Sequence, residues 1–142
     1  MRILVCGGRD YANPIPYDHS QENRKALDEY RFVHSTLQDL VSELSRNYNP
    51  HDNWLPTDIT IINGGASGVD SAASDFAIVN YCQLEEYPAD WERHGRAAGP
   101  IRNQKMINEG RPDLVISFSG GKGTEDMIKR AEKAGIPVRR IG

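Results

Sequence analysis

Three short segments concentrate residues able to handle an anion: Gly7-Gly8-Arg9-Asp10, Gly64-Gly65-Ala66-Ser67-Gly68-Val69-Asp70 and Gly120-Gly121-Lys122-Gly123-Thr124. They hold eight of the 13 glycines. Glycine lets backbone N–H groups approach a ligand closely and reach positive φ. A helix that starts directly afterwards favours an anion at its N-terminus by about 0.3–1 kcal/mol, rising to about 2 kcal/mol where partly buried. A fourth segment, Asp90 to Asn103, adds Trp91, whose ring can stack on a base, and the arginines Arg93, Arg96 and Arg102. The forked guanidinium suits phosphate. Arg102 and Asn103 lie two or three residues into a helix, where side chains reach the edge of a sheet, and this ranks them above Arg93 and Arg96. The chemistry these residue types share is phosphate or nucleotide binding.

Carboxylates are present as well. Asp10 and Asp70 sit inside the glycine segments, and Glu125 and Asp126 follow the third. Beside a phosphate an anion repels, so these are expected to face ribose hydroxyls or loop backbone, or to activate water. Structural roles compete: Ser67 and Asp70 fit an S-x-x-D capping pattern, and Thr124 can cap its own helix.

Chemistry at these positions requires a fold that gathers them. Residues 2–6, 59–63 and 113–118 are apolar runs that each end at a glycine pair, the pattern of buried parallel strands. Residues 83–87 and 137–141 are weaker strand candidates. Between them Tyr30, Val33, Leu37, Leu40, Val41 and Leu44 form a 3.6-residue stripe, and Val69, Ala72, Ala73, Phe76 and Ala77 a shorter one. Residues 97–109 predict a helix with Pro100 in its first turn. Met127, Ile128, Ala131 and Ala134 predict another, ended by Gly135. Strand–helix alternation implies an α/β, Rossmann-like three-layer domain with a mostly parallel sheet of about five strands. In such a sheet all strand-to-helix turns lie at the C-terminal edge, so the three glycine segments converge there. Residues 9–25 and 45–58 are polar, aperiodic and long enough to be unusual loops; the first follows strand 1 and can fold over the site, and the second reads as an insertion at the opposite edge.

Composition narrows the function. The 142 residues suit one domain, 1–142. Seventeen Lys+Arg against 20 Asp+Glu give a net charge of −3, which disfavours a broad footprint on duplex nucleic acid. No apolar run can span a bilayer. Cys6 and Cys82 form no CxxC pattern, which suits a reducing cytoplasm. No loop matches G-x-x-x-x-G-K-[ST], and no G-x-G-x-x-G follows the first strand, so no dinucleotide cofactor is expected. His19, His34, His51 and His94 share no metal-ligand spacing, and Ser67 lies in no G-x-S-x-G elbow. Neither a cofactor nor a metal is expected.

The motifs V-x-G-G-R-D at 5–10, G-G-A-x-G-V-D at 64–70, Trp91 to Asn103, and F-x-G-G-x-G-T at 118–124 resemble those of the SLOG superfamily, named for Smf/DprA and the Lonely Guy proteins. Within it the chain is similar to the small YspA-like branch. Lonely Guy enzymes cleave the N-glycosidic bond of nucleoside 5′-monophosphates, with a P-G-G-x-G-T-x-x-E signature and an Arg-Lys pair. Here Ser119 replaces the proline, Gly120, Gly121, Gly123 and Thr124 match, and Met127 stands where the acid belongs. Arg102 matches the arginine, and Asn103 replaces the lysine. The resemblance implies binding of a nucleotide or nucleotide-derived phosphorylated ligand, as a sensor or sequestering protein. Its alternative is a nucleotide N-glycosidase or related ribosyl transferase using Asp10, Asp70 and Arg102, though an oxocarbenium-like transition state wants the missing carboxylate. The DprA branch implies single-stranded DNA binding, which the net charge opposes. Superfamily members often self-associate, so a homodimer is a further expectation.

Overall fold

The computed structural model describes residues 1–46 and 58–142. Most of the 45–58 stretch, expected to be an insertion, therefore lies outside the described residues. Strands β1 (Arg2–Cys6), β2 (Thr60–Asn63), β3 (Gln83–Glu86), β4 (Leu114–Ser117) and β5 (Val138–Arg140) form one sheet in the order β3-β2-β1-β4-β5. Every pairing is parallel, with Ile3 opposite Ile61 on one side and Leu114 on the other.

Period-two alternation along β1 sends Ile3 and Val5 to one face and Leu4 and Cys6 to the other. The first face packs under α1 (Gln21–Arg46) and α2 (Val69–Val79), whose stripes bury Val33, Leu37, Leu40 and Phe76 against Ile61 and Ile116. The second packs under α4 (Ala98–Gly110) and α5 (Lys122–Lys133), where Met106, Ile107, Met127 and Ala131 meet Leu4, Ile62 and Val115. Each large side chain so buried contributes about 1.5–3 kcal/mol. This is the expected three-layer α/β arrangement. Gly135, at φ 75°, ends the last helix as its spacing predicts.

Two boundaries differ from expectation. Helix α1 begins at Gln21, nine residues before the apolar stripe, so 9–25 is a loop only as far as Ser20. Ser20 caps the helix, its Oγ accepting from the Asn23 N–H (3.1 Å). Residues 21–29 lack a stripe because their inner face meets a cleft and not the core. Asn23 also holds the preceding loop, its amide donating to the Asp18 and Ile15 carbonyls (2.6 and 2.9 Å) while its oxygen accepts from the Ile15 N–H (2.6 Å). The second difference is a short helix, α3 (Trp91–His94), followed by a 3₁₀ turn at Gly95–Ala97, ahead of α4. Asp90 caps α3 by accepting from the Arg93 N–H.

Connections run outward from β1 through β2 to β3, then cross back to β4 on the other side of β1. The strand order therefore reverses between β1 and β4, and a crevice opens beyond their C-terminal ends. No described helix is long and apolar enough to cross a membrane.

Candidate functional site

A cleft of about 1360 Å³ occupies that crevice. Its floor is the three glycine segments, and hydrogen bonds lock them to one another. The Gly8 N–H donates to Ser119 O (2.8 Å), the Val69 N–H to Gly8 O (3.2 Å) and the Ser67 hydroxyl to Arg9 O (3.4 Å). Glycine is needed for this packing. A Cβ on Gly7 would lie 2.5 Å from Val69 Cγ2, and one on Gly68, whose φ is 76°, would strike the carbonyls of Gly8 and Arg9.

These contacts decide which helix end is open. At the start of α2 the Val69 N–H is already taken by Gly8 O, and this end meets the cleft through the Asp70 carboxyl and Ala66. The N-terminus of α5 is open: neither it nor α2 has a side-chain cap, which removes the capping roles considered for Ser67, Asp70 and Thr124. A Cβ on Gly121 or Gly123 would meet nothing within 4 Å. Both glycines line the cleft beside Lys122 and Thr124. Gly120 differs, since its Cβ would collide with Thr124 Oγ1.

Arg102 reaches the cleft from the first turns of α4. Its Nη1 donates to Gly64 O (2.6 Å) and Tyr87 O (3.4 Å), and its Nε to Asn103 Oδ1 (3.2 Å). Gly64 has no room for a side chain because a Cβ would strike that same Nη1. Nη2 is left for a ligand. Burial lowers the Arg102 pKa, Asp70 opposes this and Arg9 adds to it. Asp70, 8% exposed, accepts from the Ala66 N–H (3.2 Å). Burial pushes its carboxyl up to about 6 from 3.8, against the pull of the Ala66 N–H, Arg102, the Gly64 N–H and Arg9.

Of the residues singled out from the sequence, Gly7, Gly8, Arg9, Asp10, Ala66, Asp70, Trp91, Arg102 and Asn103 line the cleft with the whole 120–124 segment. Gly64, Gly65, Ser67 and Gly68 do not; they shape the loop behind it, where Asn63 Oδ1 accepts from the Gly65 N–H (2.8 Å). Asn103 is committed internally, its amide donating to Gly123 O (3.2 Å) and Asp126 Oδ2 (3.0 Å), so it braces the start of α5. Asp126 is likewise held by Arg130 (2.8 Å); burial pushes its carboxyl up, and the hydrogen bonds and charge of Arg130 and the Asn103 amide bring it below the usual range. Trp91 is 46% exposed, with the Arg9 guanidinium 4.9 Å from its ring centroid. One ring face therefore already carries a cation. Glu125 pairs with Arg140 (2.9 Å) and lies outside the cleft. Met127 is fully buried in the second core, so no carboxylate occupies that position.

Motif spacing does not reveal the wall contributed by α1: Glu22, Lys25, Ala26 and Glu29 line the cleft, as do Tyr11 and Arg96, which spacing places below Arg102 in rank. The Ser20 cap followed by a polar face at three- and four-residue spacing is the available signal. Among the described residues no three His, Cys, Asp or Glu side chains group as metal ligands.

Comparison with known proteins places this geometry in a family. The YAcAr family, described as YspA, cpYpsA-related SLOG family, matches residues 1–94. The chain belongs to this SLOG family. The match takes in the first two glycine segments and Trp91; α4, β4 and α5 lie beyond it. Gene 61 protein of Mycobacterium phage D29 is 37% identical over 94 residues, covering 61% of this chain and 74% of the phage protein. The X-ray structure of TM1055, a structural-genomics target, superposes with a TM-score of 0.58 at 18% identity, covering 96% of this chain and 71% of that one. The likeness to TM1055 is one of fold. SLOG membership on this architecture points to a nucleotide-related ligand or a glycosidase-like reaction.

Proposed function

We propose that the cleft binds a nucleotide or nucleotide-derived phosphorylated ligand, and that the protein acts as a sensor or sequestering protein. The open α5 N-terminus carries the reading: Gly121 and Gly123 line the cleft with unobstructed Cβ directions, and no side chain caps the helix start, whose first N–H groups have no intrahelical partner. Lys122, Arg96 and the free Nη2 of Arg102 supply positive charge around that point. Arginine on Trp91 offers a cationic plane on which a base can stack. Calorimetry against nucleoside monophosphates, cyclic nucleotides and ADP-ribose-type ligands tests the proposal. Micromolar to low-millimolar binding that weakens in Gly123→Ala is expected, and no binding by any phosphate-bearing ligand at millimolar concentration would refute it.

A second reading, a nucleotide N-glycosidase, is favoured by Asp70. A cleft-lining carboxyl ionising at about 6 is matched to general-base work near neutrality. In that reaction the C1′–N bond breaks with its electron pair leaving on the base, water adds to C1′, and the water proton passes to the Asp70 carboxylate and from there to the departing base, which restores Asp70. Arg102 and the α5 N–H groups hold the phosphate meanwhile. Chromatography for free base decides: turnover lost in Asp70→Asn supports this reading, and no base released by the unaltered protein excludes it.

A further inference from the structure

The two walls of the cleft differ in charge. Glu22, Ala26 and Glu29 recur at four- and three-residue spacing, so they share one face of α1, spanning about 10 Å of helix at 1.5 Å per residue. All three line the cleft, and Asp10 joins them from the β1–α1 loop. Several other carboxylates are matched by a cation, among them Glu43 with Arg139, Glu85 with Arg2, Glu125 with Arg140 and Asp126 with Arg130. Among the described residues Glu22 and Asp10 form no ion pair, and Glu29 accepts only a long bond from the Ala12 N–H (3.5 Å). Lys25, on the same helix face, pairs with neither glutamate. On the opposite side of the sheet edge stand Lys122, Arg96 and Arg102 with the open α5 terminus.

A ligand whose phosphate sits at α5 thus turns its remote end toward α1. Carboxylates accept hydrogen bonds and repel anions placed near them. We infer that Glu22 and Glu29, assisted by Asp10, are specificity determinants: they admit a phosphomonoester whose remaining part carries hydroxyl or amino donors, and they disfavour one in which a ribose hydroxyl is replaced by a second phosphate. The inference rests on the phosphate reading given above and deepens it. Small Ala26 between the two glutamates leaves space for that remote end.

The test uses the full chain and the four common ribonucleoside 5′-monophosphates with their matched 3′,5′-bisphosphates. Calorimetry is run near 0.1 M salt, where the Debye length is about 10 Å. The unaltered protein should prefer the bound monophosphate over its bisphosphate by about tenfold, a size set by two carboxylates within a Debye length of the added charge. Glu22→Gln/Glu29→Gln should shrink that preference to less than about threefold, chiefly by tightening the bisphosphate. Asp28→Asn/Asp39→Asn removes the same charge from α1 outside the cleft and should leave the preference intact, with circular dichroism confirming the fold of each variant. The inference is overturned, and the phosphate reading kept, if the bisphosphate binds the unaltered protein as well as the monophosphate. It is overturned in the same way if the preference survives in the double glutamine variant, or falls equally in the control. If no nucleotide binds at about 10 mM, both fall.

Discussion

Asp70 makes the folded protein sensitive to pH in a direction opposite to that of most carboxylates. Its carboxyl ionises at about 6 when folded, against 3.8 for the free side chain. At about 1.4 kcal/mol per pH unit, ionised Asp70 costs the fold about 3 kcal/mol. Below about pH 4 it is protonated in both states and contributes nothing. Between about 4 and 6 the unfolded chain releases the proton first, so stability falls as pH rises, and above about 6 the full loss is present. Asp70→Asn would keep a side-chain acceptor for the Ala66 N–H and remove the ionisation. Urea denaturation of the unaltered protein and Asp70→Asn at several pH values between 4 and 7.5, followed by circular dichroism, isolates the effect. Other shifted carboxylates, Glu85 and Asp126, are present in both proteins and cancel. The stability gap should open by about 3 kcal/mol in favour of Asp70→Asn over that range. A gap constant to within about 0.5 kcal/mol would show that burial does not hold the Asp70 proton, and with it would go the argument for a general base.

Gly123→Ala should keep or slightly raise stability, by up to about 1 kcal/mol, because its Cβ meets nothing and alanine favours the helix, while calorimetry shows weaker phosphate binding. Gly64→Ala should lower stability by about 1–3 kcal/mol in thermal denaturation, since the new Cβ strikes the Arg102 Nη1 that anchors the loop. Met127→Glu, which restores the acid of the Lonely Guy signature, should unfold or severely destabilise the protein without creating activity, because that side chain is fully buried under Leu4 and Val115. Arg102→Lys should weaken phosphate binding about tenfold or more by titration, as an ammonium cannot hold Gly64 O, Tyr87 O and Asn103 while also presenting a free donor.

Strands β1, β2 and β4 were legible because they are buried on both faces, which leaves continuous apolar runs ending at glycine pairs, while the partly exposed edge strands β3 and β5 gave weaker runs. The start of α1 was not, because residues 21–29 face the cleft and carry no core stripe. The same cause hid Glu22 and Glu29 from the site. Spacing placed Arg102 and Asn103 together, but their adjacent positions on α4 lead to different tasks: one keeps a donor for the cleft, and the other commits its amide to α5. Glycine counts alone could not separate Gly121 and Gly123, which leave space at the surface of the cleft, from Gly7, Gly64, Gly68 and Gly120, which make room for neighbouring atoms. For Gly7 and Gly68 that distinction depends on contacts between segments about 60 residues apart, with Val69 and with Gly8 and Arg9.

The interlocked floor sets how a ligand must arrive. Gly8 bonded to Ser119, Val69 to Gly8 and Ser67 to Arg9 fix the loop backbones before anything binds. Their conformational freedom is lost during folding, so association has little more to remove. Binding should then follow a single second-order phase whose rate grows linearly with ligand concentration, without the plateau that a slow loop closure imposes.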